Sequence, residues 1–489
     1  MLEAGFSNLA TRMLGGESMK SRKIGFLVLS VLVIFSLILS ACATATEEPE
    51  PTKPPPTKAP ADTEAPPPTE APPPTEAPPE EVTIRLAFWE LFGIIEPRMQ
   101  FNADLFNEQF PHINVEFVIA PEAFSHTQNM LTMIAAGDPP DVVWMSDAWI
   151  WDYAGRGALL DLTPYMERDG VEGSMFVPAV EDAKFDGKYY ALPDHGGPLM
   201  VYYNKDMYDN AGLAYPIEQP TDEWTWDTYL SNAEKITQVG PDGRVEVFGT
   251  ETWNIWFHWI PTLWTFGGDV INEDRTQSSL DEPEAKAAMQ TVIDTMFTEP
   301  IVAPSLTTYG ELGTDLLTML LTQKVAHLGA GAWGPSLFTD PATMEPVINW
   351  GLAPYPTQIE PATLLSFVGW AIPAGTEHPE EAWELLKFLA TNMEAQRDVA
   401  QRGIGIPGFL EAVAMGDFIM PYEPDTDLQI WQHSIARARS IPMHRQWSRT
   451  VEGVVTEEFT LMYVGEKSVD EAMDDAARRM NEVLAEPIE

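Results

Sequence analysis

The chain is 489 residues long, with 74 acidic and 28 basic side chains and a formal net charge of −46. Such a charge repels polyanions and excludes nucleic acid or an anionic membrane surface as the main partner. The one cysteine, Cys42, excludes an internal disulfide, so a folded domain here is held by its core alone.

In chain order the first element is a signal. Lys20, Arg22 and Lys23 precede an apolar run from Ile24 to Ala41, the layout of a signal peptide. Met1 to Ser18 has no evident role ahead of such a signal, which makes Met19 a second candidate start. The apolar run is also about long enough to span a bilayer, so a retained anchor is the alternative. Leu39-Ser40-Ala41-Cys42 resembles the bacterial lipobox, in which the cysteine sulfur receives a diacylglyceryl group before cleavage. The resemblance implies that residues 1–41 are removed and that Cys42 is lipidated. The exported protein is then anchored to the cell membrane on its extracytoplasmic side. Residues 42–81 form a Pro/Thr/Glu-rich tether, in which the sequence from Thr63 to Pro68 repeats from Thr69 to Pro74. It has too few apolar residues to form a core. At about 3.1 Å per residue of polyproline helix, it holds a domain up to roughly 100 Å from the membrane.

From Val82 onward the composition is globular, and about four hundred residues imply two domains or two lobes. Val82 to Trp89 alternates and is β-rich, Pro97 to Phe110 has helical periodicity, and Ile113 to Ile119 alternates again. A second helix ends near Gly137, a turn follows, and Val142 to Met145 is a short buried strand. This alternation predicts an α/β fold with a parallel sheet. Pro379 to Thr391 is helical, with Ala382, Leu385, Leu386 and Leu389 on one face, and Trp383 among them is structural. Ser468 to Glu471 is a capping box that opens a last helix with Val469, Ala472, Met473, Ala476, Met480 and Val483 as its apolar stripe.

Several stretches together resemble one family. They are FNEQFPHINVEF (Phe106 to Phe117), MIAAGDPPDVVWM (Met133 to Met145), GKYYALPDHGGPLMVYYNKDMYDNAGL (Gly187 to Leu213), GGDVINED (Gly267 to Asp274), LTQKVAHLGAGAW (Leu321 to Trp333), WGLAPYP (Trp350 to Pro356) and GWAIPAGTEHPEEAWELLKFL (Gly369 to Leu389). In this order they resemble the extracellular solute-binding proteins of bacterial ATP-binding-cassette importers, in the sugar-binding group that includes maltose-binding protein. The resemblance implies a periplasmic-binding-protein fold of two α/β lobes with a ligand cleft between them. It implies three crossings between lobes, near Gly196-Gly197-Pro198, near Leu364 to Ser366 and around Ala414 to Asp417. The first lobe is then 82–195 plus 366–414, and the second is 198–365 plus 418–489. It further implies a monomer that captures a carbohydrate and delivers it to the transmembrane subunits of an ABC permease.

Sugar rings present apolar C–H faces to aromatic rings, and their hydroxyls donate to carboxylates. Candidate ligand contacts are Trp89 and Glu90 at the end of the first strand, Asp194 and His195 before the first crossing, and Trp370. The resemblance adds Asp147 and Trp149, on the stretch where maltose-binding protein contacts sugar. There its Asp-Arg is replaced by Ala148-Trp149, so maltose itself is not implied. It also adds Trp253 and Trp256, Trp333 as the stacking tryptophan, and Arg445 and Trp447 in the late contact region. The alternative for each Trp is core packing, and for Asp147 and Asp194 helix capping or solvation.

A secreted glycosidase is the rival reading, because acidic residues among tryptophans also suit sugar cleavage. A structural adhesin is a third. The chain has no Gly-x-Ser-x-Gly elbow, no His-Glu-x-x-His helix and no cysteine ligand set, so no catalytic residue, metal or cofactor is expected. The candidate stretches are nearly free of Lys and Arg, with only His444, Arg445 and Arg449 nearby. That favours a neutral carbohydrate over the alternative of a glycerol phosphodiester.

Overall fold

β-branched and aromatic residues alternate through Val82–Trp89 (β1) and Ile113–Ala120 (β2). In the computed structural model the two strands pair in parallel from Val82↔Ile113 to Trp89↔Ala120. The structure describes residues 80–91, 93–216, 224–340, 343, 345–416 and 424–486. The signal stretch, Cys42 and the tether as far as residue 79 lie outside them, as does Asp417 at the third expected crossing. Val142–Ser146 (β3) lies parallel to β1 on its other side. The helices Ile95–Gln109 and Ala123–Ala136 make the crossovers. The first helix starts two residues earlier than Pro97 because the Glu90 carboxylate accepts from the N–H groups of Ile95 and Glu96. Gly137, at φ 73, ends the second as expected.

A small hairpin, Lys184–Phe185 (β4) and Lys188–Tyr189 (β5), leads into Ala191–Pro198 (β6). After Leu199 the chain continues as Met200–Asn204 (β7), the centre of a second, antiparallel sheet. Between β7 and its partners lies a second hairpin, Gln238–Val239 (β8) with Val245–Val247 (β9). The partners of β7 are His327–Ala330 (β10) and Trp350–Ala353 (β11). Thr363–Ala371 (β12) then returns to the first sheet, followed by Ile406–Pro407 (β13) and Ala438–Ser440 (β14). The first sheet runs β13-β6-β12-β3-β1-β2, with β14 beside the start of β12.

The two sheets and their helices form the two lobes. The expectation of a parallel sheet holds for β1, β2 and β3 but not for β12, which is antiparallel to both β3 and β6. The cause is topological: β12 re-enters from the second sheet, so it runs against β6, which leaves toward it. The two strands travel side by side. Leu365 pairs with Pro198, the Leu199 N–H donates to the Leu364 carbonyl at 2.8 Å, and Thr363 Oγ1 donates to the Leu199 carbonyl at 2.6 Å.

Helix Pro379–Thr391 covers the first sheet with Ala382, Leu385, Leu386 and Leu389 buried. Trp383 is buried beside them and donates Nε1–H to Asp169. The last helix, Val469–Leu484, has the Ser468–Glu471 capping box and buries its whole expected stripe.

Candidate functional site

Trp89 closes the carboxyl end of β1, at the edge where open sheets present groups to ligands, and Trp144 lies beside it in the middle of β3. Their rings lie 4.2 Å apart. Trp149, on the helix Asp147–Gly155, meets Trp89 edge-on at 6.0 Å. Ser146 fixes that helix by capping it: its side chain accepts from the Ala148 N–H. The facing wall comes from the second lobe. Asn254 to Phe257 and Trp259 open the helix Trp256–Thr265, and Trp333 lies in the turn between β10 and the short helix Gly334–Leu337. Phe257 stands edge-on to Trp333 at 5.6 Å. Gly331 is what lets the Trp333 indole fold back on its own turn, since a Cβ there would sit 2.0 Å from Cζ3 of that ring.

A third wall comes from the C-terminal segment. Glu452 lies in a π-helical turn, Thr450–Val455, that runs straight into the helix Thr456–Tyr463. Thr456, Phe459, Thr460 and Tyr463 continue the stripe at spacings of one helical turn. Trp149 Nε1 donates to Glu452 Oε1 at 2.7 Å and ties this segment to the first lobe. The walls enclose about 530 Å³, and the described lining contains no Lys or Arg.

Behind the aromatic wall lie two polar nodes. Asp194 is fully buried and takes a two-pronged contact from Arg98, 2.8 Å to Oδ2 and 2.6 Å to Oδ1. Oδ2 also accepts from Trp144 Nε1 at 2.9 Å and faces His195 Nδ1 at 3.0 Å. Burial alone would raise the Asp194 pKa, but the Arg98 charge and the His195 contact outweigh it and hold the carboxyl well below the usual range. The second node is Asp147. Its Oδ1 accepts from the Ser146 hydroxyl at 2.9 Å, the Ala148 N–H at 2.9 Å and the Ser366 hydroxyl at 3.0 Å; Oδ2 accepts from the Phe367 N–H at 3.1 Å. Burial pushes this carboxyl up to about 7 against those donors. Burial also raises Glu452, opposed by the Trp149 indole.

Of the sequence candidates, the structure brings Trp89, Trp149, His195, Trp256 and Trp333 together on the cleft. The others lie elsewhere. Glu90 accepts from the Leu91, Ile95 and Glu96 N–H groups and caps a helix. Asp147 and Asp194 sit one layer behind, holding Ser146, Ser366 and His195, which do line the cleft. Trp253 is core, packed against Trp226 at 5.0 Å and Tyr355 at 4.9 Å. Trp370 is fully buried in the first sheet opposite Trp144. Trp447 is buried behind Trp256, edge-on at 5.5 Å. Arg445 lies over the Phe185 ring at 4.6 Å and beside Asp186, away from the lining.

Trp144, Phe257, Glu452 and the Thr456–Tyr463 stripe escaped the sequence reading. Trp144 sits in a short apolar strand, where a cleft residue and a core residue read alike. The stripe was legible as helical spacing, whereas Glu452 depends on a π-turn that no residue pattern announces.

Residues 95–396 match the family of bacterial extracellular solute-binding proteins. A binding protein of Brucella abortus (strain 2308) is 25% identical over 405 residues, covering 82% of this chain and 93% of its own. The maltotriose-binding protein of Pyrococcus abyssi (strain GE5 / Orsay) is 25% identical over 300 residues, 59% of this chain and 58% of its own. Among solved structures, an ABC substrate-binding protein of Listeria monocytogenes in complex with cycloalternan has a TM-score of 0.74 at 23% identity, over 83% of this chain and 99% of that one. A Mycobacterium tuberculosis protein in complex with glycerophosphocholine has a TM-score of 0.67 at 20% identity, over 81% and 97%. Two lobes around an aromatic cleft, and a matched segment that runs from the first crossover helix into the helices after β12, lead to one conclusion: the chain belongs to the bacterial extracellular solute-binding proteins.

Proposed function

We propose that this protein captures an extracellular carbohydrate in the cleft between its lobes and delivers it to the permease of an ABC importer. The observation that carries the reading is the cleft wall itself: indoles from both lobes, carboxyl and hydroxyl groups between them, and no Lys or Arg in the described lining. Flat apolar faces match the C–H faces of a sugar ring, and the polar groups match its hydroxyl edge. An anionic ligand would leave its charge uncompensated there. Relatives whose names include maltotriose-binding and arabinooligosaccharide-binding proteins agree with this class. The contacts we assign are Trp89, Trp149, His195, Trp256, Trp333 and Glu452. We also assign Cys42 as the lipid anchor and residues 42–81 as a spacer; Cys42→Ala is expected to yield protein that membrane fractionation finds unacylated.

Isothermal titration of the purified full-length chain with maltotriose, arabinotriose, N,N′-diacetylchitobiose and mannitol tests the reading. Saturable heat, with the sugar recovered unchanged, supports a binder. Cleaved products would support the glycosidase, and no heat from any sugar would remove the carbohydrate reading.

A further inference from the structure

His195, Ser146 and Ser366 lie on three neighbouring strands. Val368 is paired with Ser146 of β3 on one side and with His195 of β6 on the other, and Ser366 stands two residues before it on β12. Side chains two apart on a strand share a face, and all three polar residues line the cleft. Two strand spacings, about 10 Å, separate the outer members of this row.

What each of them offers is decided from behind. Asp194, paired with the Arg98 guanidinium on both oxygens, is a carboxylate and can only accept. The atom of His195 facing it is Nδ1, at 3.0 Å, so Nδ1 carries the hydrogen of the neutral ring. Nε2 is then a bare acceptor, and it bonds to no described residue. Ser146 and Ser366 each have one hydrogen to give, and both give it to Asp147 Oδ1. This is the arrangement of the ionised Asp147, whose oxygens can only accept. The Ser146 oxygen spends one lone pair on the Ala148 N–H and keeps one for the cleft, and the Ser366 oxygen keeps both.

We infer that this row is an acceptor-only strip, set by Asp194 and Asp147 from behind, that selects ligands presenting hydrogen-bond donors and rejects carboxylated or phosphorylated ones. The inference rests on the carbohydrate reading above and narrows it to neutral or amine-bearing saccharides. A hydroxyl or ammonium group satisfies each position, whereas an anionic oxygen meets lone pairs along the whole strip and is left unpaired.

Two measurements on the full-length chain test it. The first needs no ligand: nitrogen NMR of histidine-labelled protein, with the His195 signal identified by its loss in His195→Gln, is expected to show Nδ1 protonated and Nε2 bare. A hydrogen on Nε2, in the neutral or the charged ring, overturns the inference. The second compares affinities. Trigalacturonate and glycerophosphocholine are expected to bind at least about a hundredfold more weakly than the best neutral sugar of the panel, since a site built for one polarity rejects the other. An acidic probe within about tenfold of that sugar overturns the inference while leaving a binding protein in place. Ser366→Ala is expected to lower neutral-sugar affinity about tenfold, as loss of one hydrogen bond does. If no saccharide binds, the carbohydrate reading falls, and the imidazole signal still decides the acceptor assignment.

Discussion

Trp333 and Trp370 are both tryptophans of the solute-binding fold, yet truncation should affect them in opposite ways. Trp333→Ala is expected to cost about 2–4 kcal/mol of binding, the range for an aromatic hot spot, with apo stability near normal. Trp370 has no exposed surface, and Trp370→Ala should cost about 3–5 kcal/mol of stability, with or without ligand. Calorimetric titration and thermal unfolding on both variants separate the cases, and a Trp333→Ala protein that melts early while binding normally would remove Trp333 from the site. Gly331→Ala should mimic the first variant, because its Cβ displaces the indole without removing it. Asp147 makes a pH forecast. Its folded pKa of about 7 lies above the 3.8 of an ordinary Asp. The stabilisation is therefore fully present below about pH 3.8 and is lost as pH rises through about 7. Relative to Asp147→Asn, wild-type unfolding free energy should fall across that window. Parallel pH profiles for the two proteins would contradict this. Residue type foretold a tryptophan-lined cleft, but not which indoles line it. Trp89 and Trp370 are each in a β-rich, apolar stretch, and only the register, with Trp370 opposite Trp144 in mid-sheet and Trp89 at a strand end, tells them apart.

Among elements, the π-turn Thr450–Val455 stands out because it rotates Glu452 onto the cleft while the following helix keeps its own stripe in register. Deleting Gly453 should restore an α-helical turn, swing Glu452 off Trp149 and weaken sugar binding, while far-ultraviolet circular dichroism stays unchanged. Unaltered affinity would show that Glu452 is dispensable. The regular elements were the most legible. β1 and the helix Pro379–Thr391 match their expected limits, and the last helix has its capping box, because alternation, helical spacing and Ser-x-x-Glu are local signals. The antiparallel course of β12 was not legible, since it depends on where the chain has been, not on the residues of the strand. Pro97 failed as a helix start because the true cap is a side chain five residues before Ile95.

At the scale of the molecule, a ligand that touches both lobes should favour their approach. Small-angle scattering is expected to give a smaller radius of gyration with bound sugar, and identical curves would argue against closure. Deleting Thr63 to Pro74 should leave affinity in solution unchanged, because a spacer removes no contact from the site; a tenfold drop would place the segment in the fold. The pairing of β6 with β12 has a consequence in time as well as in space. The inner neighbour of β3 is β12, and about two hundred residues separate them in the chain. During synthesis β1, β2 and β3 emerge with one edge open and must wait for the second sheet, β7 with β10 and β11, before β12 can join them. Contacts of such long sequence separation form slowly. A nascent chain cannot seat β12 until Ala371 has been made, so its first sheet keeps an open edge through most of synthesis, which suits a protein that has to be threaded across a membrane.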